Sequence, residues 1–154
     1  MTKKKIIIAT GGTGGHVIPA YNLAKHFNDR KINVEVISDK RGIKYIKEIK
    51  DIKLSQIFTS PIIKKNIFTF FYSILIILFS VIRSFFHLTL NRPSLIFGMG
   101  GYSSFPICIA AKILNIPFVL YESNLLIGKA NKYLSSYATK IFVSHKELEG
   151  MQEI

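Results

Sequence analysis

The fold of this chain is decided by its opening stretch, Lys5-Ile6-Ile7-Ile8-Ala9-Thr10-Gly11-Gly12-Thr13-Gly14-Gly15-His16. Residues 6–9 are apolar, which is typical of a buried strand in a parallel sheet. The run is too short to be the apolar region of a signal peptide. Glycines follow it, and they allow backbone conformations and close approaches that other residues resist. The stretch therefore predicts a strand, a glycine loop and then a helix that begins near Pro19, a residue favoured in a first helical turn.

The first glycine loop, residues 10–16, has the features of an anion-binding site. A helix that follows such a loop offers unpaired N–H groups and a partial positive charge, which suit a diphosphate. The loop is not a P-loop, because no Gly-Lys-Ser/Thr follows it, and it does not match the GxGxxG pattern. The alternative is that these glycines only make a tight turn between strand and helix.

Two further motifs also follow apolar runs. One is the second glycine loop, residues 98–102, which precedes Ser103-Ser104, where a serine can cap a helix. The other is Tyr121-Glu122-Ser123-Asn124. In a doubly wound sheet, the loops after the strands share one edge. We therefore expect all three motifs to line one cleft that binds phosphorylated ligands.

Three side chains at this expected cleft are candidates for chemistry. His16 ends the first glycine loop, and an imidazole can accept a proton at neutral pH. Glu122 is one of only nine acidic residues and follows an apolar strand, where an unpaired carboxylate is costly. Asn124 offers a donor and an acceptor to sugar hydroxyls or a base edge. The alternatives are a packed histidine at position 16 and a capping or turn role for Glu122 and Asn124.

Apolar runs and helical patterns alternate along the chain. This indicates one α/β domain, with a parallel sheet covered by helices on both faces. The predicted strands are residues 5–9, 33–38, 95–97, 118–121 and 140–143, and the predicted helices are residues 19–28, 67–90, 104–114 and 128–137. A weaker helix and strand are predicted at residues 43–50 and 54–58.

Composition narrows the classes of function. The 154 residues are 49% hydrophobic and carry a formal net charge of +12, and 16 of the 21 basic residues lie in residues 1–93. Basic surfaces are typical of proteins that meet nucleic acid, anionic lipid or phosphorylated ligands, although compositional drift is an alternative. No base-reading motif supports nucleic acid. The single cysteine excludes an internal disulfide, and the four scattered histidines predict no metal site.

The longest apolar stretch is residues 67–82, which carry no charge, and it continues beyond Arg83 to Leu90. Its polar residues recur with a helical period, which predicts a helix. The other side chains around this helix are apolar, and they form more apolar surface than packing one face on a sheet requires. We expect this helix to lie in the membrane interface. The predicted lipid contacts are Lys64, Lys65, Phe70, Phe71, Ile74, Leu78 and Phe85. A membrane span and a buried core helix are the alternatives.

The three motifs, with Gly128 and Asn131-Lys132 after the third, together resemble one enzyme family. This is the undecaprenyldiphospho-muramoylpentapeptide β-N-acetylglucosaminyltransferases of peptidoglycan synthesis, in glycosyltransferase family 28. The family has two Rossmann-like domains around a cleft, the GT-B fold, and this chain is similar to the N-terminal, acceptor-side domain. The resemblance implies that residues 1–154 lack the nucleotide-binding C-terminal domain and are inactive alone. Residues 121–124 depart from the family's common His-Glu-Gln-Asn.

The resemblance also implies a reaction and its participants. N-acetylglucosamine would move, with inversion, from UDP-N-acetylglucosamine to the lipid-linked muramoyl-pentapeptide, without a metal or cofactor. The protein would be peripheral, on the cytoplasmic face of the bacterial plasma membrane, whose anionic surface would be a partner. A non-catalytic membrane-anchoring subunit of a split, two-chain glycosyltransferase is the alternative.

The family's site residues carry over to matching positions in this sequence. Thr13, Gly14, Gly15 and Asn124 match contacts to the UDP-sugar. Gly98, Gly100, Gly101 and Tyr102 match a loop that would hold the acceptor diphosphate. His16 matches the family's candidate base or acceptor-site residue, and Glu122 is a weaker candidate for the base.

Overall fold

The computed structural model describes residues 5–46, 52–59 and 66–146. Within them, six parallel strands form one sheet in the order β3-β2-β1-β4-β5-β6. The strands are β1 (Lys5–Thr10), β2 (Asn33–Ser38), β3 (Lys53–Gln56), β4 (Leu95–Gly98), β5 (Phe118–Glu122) and β6 (Lys140–Val143). This strand order is that of a Rossmann-type fold, with the switch in direction between β1 and β4. The predicted parallel α/β sheet is confirmed.

Helices connect the strands and cover both faces of the sheet. They are α1 (Gly14–Asp29), α2 (Lys40–Ile43), α3 (Ile67–Asn91), α4 (Ser104–Ile113) and α5 (Lys129–Leu134), and a 3₁₀ turn, Ser135–Tyr137, follows α5. On one face, Ile8 of β1 packs with Ala20 and Ala24 of α1. On the other, Ile7 packs in a cluster that includes Leu88 of α3. Alternate residues of β1 therefore face two separate cores, as expected for a sheet buried on both sides.

The first helix begins earlier than the sequence predicts. It starts at Gly14 rather than near Pro19, because the Thr13 carbonyl accepts hydrogen bonds from the N–H groups of His16 and Val17, each at 3.2 Å. Pro19 therefore lies inside α1, where its missing N–H removes one helical hydrogen bond. The earlier start places His16 in the first turn of α1 rather than in the loop before it.

The second helix also differs from its prediction. It covers Lys40–Ile43 rather than residues 43–50, because the Asp39 carboxylate caps it by accepting the Gly42 N–H at 2.7 Å. Residues 47–50 of the predicted helix lie outside the described residues.

Helix α3 packs on the rest of the fold through its small polar side chains. Ser73, Ser80, Ser84 and Leu88 are buried, and most of the larger apolar side chains point outward. The Ser84 hydroxyl donates to the Ser80 carbonyl of its own helix at 2.7 Å, so its burial leaves no unpaired group. The inward face is therefore narrow, and the bulky side chains are left exposed. This contradicts the alternative of a buried core helix.

The C-terminal half of α3 is held to the sheet by a buried carboxylate. Glu35 of β2 lies 2.5 Å from Lys5 Nζ and 3.1 Å from His87 Nε2, and it accepts the Ser55 hydroxyl at 2.6 Å. Burial alone would raise the pKa of Glu35, but the hydrogen bonds from His87, Lys5 and Ser55 hold it well below its usual range. This cluster ties α3 to β2 and β3.

Candidate functional site

The two glycine loops meet above the switch point between β1 and β4. A Cβ on Gly101 would lie 2.8 Å from the carbonyl oxygen of Gly11, and a Cβ on Gly100 would lie 2.9 Å from His16 Nδ1. Both Gly100 and Gly101 also have positive φ angles, of 82° and 76°. Only glycine fits these positions without a clash or backbone strain. The second loop therefore lies directly against the first, as the sequence predicts.

The third motif reaches the same place through His16. Its Nδ1 lies 3.5 Å from the Ser123 hydroxyl, which comes from the loop after β5. His16, Gly101, Tyr102 and Asn124 line a cleft of about 260 Å³. The three motifs therefore share one edge of the sheet, and His16 stands at the point where they meet.

Glu122 is not free to act as a base. It is 1% exposed, and its carboxylate accepts four hydrogen bonds, from the Asn124 and Gly128 backbone N–H groups and the Asn124 and Asn131 side-chain amides, at 2.8–3.1 Å. Burial alone would raise its pKa, but these donors lower it below the usual range. Glu122 therefore positions the loop that carries Asn124, and its catalytic role stays a prediction that this hydrogen bonding disfavours.

Asn124 remains a candidate for ligand contact. It is exposed, and its Nδ2 donates to Glu122 Oε1 at 2.8 Å. This bond uses the amide end of the side chain and leaves its carbonyl oxygen as the group offered to a ligand. Glu122 therefore sets which end of Asn124 faces the cleft.

The remaining residues of the first loop supply backbone donors. Thr13 and Gly15 are exposed and Gly14 is half-buried, at the start of α1, where N–H groups have no helical partner. The Gly12 N–H is already used, because it donates to Asp39 Oδ1 at 3.1 Å. The first turn of α1, rather than the whole loop, therefore presents donors to an anion.

In the second loop, the predicted phosphate contacts divide into two groups. Tyr102 is exposed and Gly101 is half-buried, so both reach the cleft, while Gly100 lies buried beneath His16. Gly98 is the last residue of β4, and a Cβ there would lie 2.8 Å from Cys108 Sγ and 2.9 Å from Leu120 Cδ2. Its lack of a side chain serves packing against α4 and β5, and its contact with phosphate stays a prediction.

Asp39 and Asn131 support the site but were not among the sequence candidates. Asp39 is 5% exposed and holds both Gly12 and α2. Asp39 directly follows β2, and Glu122 is the last residue of β5, so an acid at the carboxyl end of an apolar strand is the signal that could have found both. Asn131 donates to Glu122 and to the Tyr121 carbonyl, and within the described ranges its buried Oδ1 has no hydrogen-bond partner. This oxygen lies beside the cleft and is a further candidate acceptor for a ligand.

Three of the five predicted lipid contacts on α3 are exposed, and two are half-buried. Phe71, Ile74 and Leu78 are 57%, 38% and 54% exposed, and Phe70 is half-buried. Phe85 instead packs against the core cluster beneath α3, because it lies on the inward side of the helix, and its neighbour Phe86 is exposed. Lys64 and Lys65 lie outside the described residues. Of the helices in the described part, α3 is long and apolar enough to cross a membrane by length and composition.

The buried carboxylates make stability depend on acid in a testable way. The pKa values of Asp39 and Glu122 are both lower in the folded protein than in the unfolded chain, where they lie at about 4. Each carboxylate therefore stabilises the fold at pH values above about 4, and this stabilisation is lost as the pH falls through the folded pKa. We expect the Glu122→Gln variant to be less stable than wild type at pH 7. The glutamine NH₂ group would face N–H groups that now donate to the carboxylate, and two donors cannot form a hydrogen bond with each other. The difference should shrink toward pH 3 in urea denaturation. A difference that does not change with pH would contradict this role.

Comparison with known proteins identifies the family and the fold of this chain. A family model, the glycosyltransferase family 28 N-terminal domain, matches residues 6–143. Two relatives carry the name UDP-N-acetylglucosamine--N-acetylmuramyl-(pentapeptide) pyrophosphoryl-undecaprenol N-acetylglucosamine transferase. The one from Pelagibacter ubique is 40% identical over 139 residues, and the one from Rickettsia canadensis is 38% identical over 152 residues. The matches cover 90% and 97% of this chain but 38% and 41% of the relatives, so the chain spans about two fifths of their length.

A solved structure shows the same fold. The crystal structure of Acinetobacter baumannii MurG matches with a TM-score of 0.80 and 24% identity, over 97% of this chain and 44% of that chain. This confirms the expected fold, that of the N-terminal half of a GT-B glycosyltransferase. Because the family model covers most of its length, the chain belongs to the glycosyltransferase family 28 N-terminal domain family.

Proposed function

We propose that this chain is the acceptor-side part of an inverting transferase that moves N-acetylglucosamine from its UDP donor to a lipid-linked muramoyl-pentapeptide. The observation that carries the proposal is the convergence of both glycine loops and the Ser123–Asn124 loop on His16. The donor and the acceptor in this proposal are those that the names of the two relatives contain. A donor domain would close the cleft from the other side.

In this proposal, His16 is the general base. It takes the proton from the 4-hydroxyl of the muramoyl sugar, whose oxygen attacks C1 of N-acetylglucosamine, and the bond from C1 to the UDP oxygen breaks. Thr13, Gly14, Gly15 and the Asn124 carboxamide contact the UDP-sugar. Gly101 and Tyr102 lie beside the acceptor diphosphate, and Gly100 supports His16 from beneath. The N–H groups in the first turn of α1 stabilise negative charge on the departing UDP.

The reaction can be tested on the protein expressed from its complete gene. Radiolabelled UDP-N-acetylglucosamine and a lipid-linked muramoyl-pentapeptide are the substrates, and labelled lipid product is measured. UDP-glucose serves as the control donor. We expect transfer from UDP-N-acetylglucosamine to this acceptor. Hydrolysis of the donor without labelled lipid product would contradict the proposed acceptor.

The exposed face of α3 is proposed as a peripheral contact with anionic membrane on the cytoplasmic side. We expect Leu78→Ser to weaken binding to phosphatidylglycerol-containing vesicles by about tenfold in a sedimentation assay, since burying one leucine is worth about 1.5–3 kcal/mol. Ile113→Ser is the matched control, because Ile113 is 56% exposed and Leu78 is 54% exposed, but Ile113 lies on α4. Equal loss in both variants, or none in either, would contradict a contact specific to α3.

A further inference from the structure

A second concave surface runs from the candidate site toward the exposed face of α3. This groove has a volume of about 620 Å³ and lies between α2, the segment after β3, and the N-terminal half of α3. The lining residues that matter here are Lys40, Arg41, Thr59, Tyr72, Leu75 and Phe79. None of the three motifs contributes a residue to this lining, so the sequence motifs do not account for it.

The groove opens at both glycine loops. A Cβ on Gly12 would lie 3.8 Å from Arg41 Nη2, which places this guanidinium beside the first loop. The Thr59 hydroxyl lies 3.3 Å from the Ser103 hydroxyl, which directly follows the second loop. Arg41 and Thr59 therefore place one end of the groove next to the edge of the sheet where the acceptor diphosphate is proposed to lie.

The groove changes character along its length. At the loop end, Lys40 and Arg41 are exposed, and Arg41 Nη2 lies 2.9 Å from Asp39 Oδ2. Asp39 is the one acid among the described lining residues, so two cations face one carboxylate and the mouth is positive. That carboxylate also holds Gly12 and Gly42, which fixes the position of Arg41. The loop end therefore suits a diphosphate.

The other end of the groove is apolar. Tyr72, Leu75 and Phe79 form a wall from α3, and they are 66%, 61% and 59% exposed. Ile57, at 5% exposed, lies beneath them. The wall continues into the outward face of α3, so an apolar chain leaving the groove would enter the membrane that this face is proposed to contact. The ligand with this order of chemistry is a single apolar chain attached to a diphosphate.

We propose that this groove binds the first isoprenoid units of the acceptor's polyprenyl chain, next to the diphosphate. The proposal rests on the proposed function, because that function supplies a polyprenyl diphosphate as the acceptor. Arg41 flanks the diphosphate, and Leu75 and Phe79 cover the prenyl units. By holding the prenyl units, the groove orients the acceptor sugar toward His16. It therefore recognises the lipid part of the acceptor and not the sugar.

The test uses farnesyl diphosphate as the probe, titrated calorimetrically into the protein without membrane or detergent. Phe79→Ala removes a groove wall, and Phe86→Ala is its matched control, because Phe86 is 61% exposed on the same helix and does not line the groove. We expect Phe79→Ala to weaken binding about tenfold and Phe86→Ala to leave it unchanged. Arg41→Ala should weaken the binding of farnesyl diphosphate but leave the binding of farnesol unchanged. Inorganic diphosphate should bind more weakly than the probe.

The outcomes separate this proposal from the proposed function. Equal affinities for farnesyl diphosphate in wild type, Phe79→Ala and Phe86→Ala would overturn the groove, even if sugar transfer is observed. So would equal binding of inorganic diphosphate, because the prenyl chain would then contribute nothing. Binding that depends on Phe79 and Arg41 would support the groove even if transfer to the muramoyl acceptor failed. Circular dichroism spectra confirm that each variant is folded.

Discussion

The His16→Ala variant should lose sugar transfer by about 10²–10⁴-fold in kcat, the usual contribution of a general base. His16 Nδ1 lies 3.5 Å from Ser123 Oγ, and the ring lies against the second glycine loop, where an acceptor hydroxyl would arrive. The truncation leaves the hydrogen bond from Thr10 Oγ1 to the His16 carbonyl intact, so folding should be retained. The measurement is transfer of labelled N-acetylglucosamine to the lipid acceptor by the protein expressed from its complete gene.

His26→Ala is the matched control for this variant. His26 lies on the same helix but is exposed, with Nδ1 2.8 Å from Arg30, far along α1 from the loops. Its removal should leave kcat unchanged. A His16→Ala enzyme with near-wild-type kcat would show that another group takes the proton. Glu122 would not be the replacement, because its carboxylate already accepts four hydrogen bonds.

The Gly101→Ala variant should be strongly destabilised, because it combines backbone strain with a backbone clash. Its φ of 76° is strained for alanine, and the added Cβ would lie 2.8 Å from a backbone oxygen that cannot rotate away, that of Gly11. We expect a loss of about 3 kcal/mol or more in the free energy of unfolding. Gly12→Ala separates the two causes. Its φ is 84°, but the added Cβ meets only Arg41 Nη2, at 3.8 Å.

Gly12→Ala should therefore cost only the backbone strain, about 1–2 kcal/mol. Both variants can be compared with wild type by urea denaturation followed by circular dichroism. If the two variants lost equal stability, the close contact between the loops would not be present in solution. A larger loss for Gly101→Ala supports direct packing of the second loop on the first.

The sheet and the shared edge follow from local sequence, because short apolar runs that alternate with helices admit few arrangements. Strands β2 and β6 have their predicted bounds, and the other strands differ by one or two residues at one or both ends. The start of α1 does not follow in this way. Gly14 and Gly15 are poor helix formers, so Pro19 is the stronger local signal. The helix nevertheless includes both glycines, because the Thr13 carbonyl accepts the N–H groups of His16 and Val17.

The local sequence also does not predict which face of α3 packs on the fold. Its serines mark a polar stripe, and a polar stripe usually faces water. Here Ser80 and Ser84 face the fold, because small side chains that bond to their own helix permit close packing. The position of Phe85 against the core follows from that orientation. Amphipathic pattern alone therefore identifies the helix but not which face the protein covers.

The candidate site was predicted in its location but not in all its roles. A buried acid after an apolar strand signals a special position, and Glu122 fulfils this. Its four donors come from residues 124–131, whose fold is set by the loop after β5. The sequence shows the carboxylate but not its partners. A base and a positioning residue therefore look alike until the hydrogen bonds are known.

Amide chemical-shift mapping shows whether the acceptor binds at the edge of the sheet where the three motifs meet. The ¹⁵N-labelled protein is titrated with a water-soluble muramoyl-pentapeptide diphosphate. We expect perturbed amides at residues 12–16, 100–102 and 122–124. Amides at residues 30–33 and 115–117, at the opposite edge of the sheet, should be unchanged. Perturbation confined to that opposite edge, or none at a concentration that saturates transfer, would contradict it.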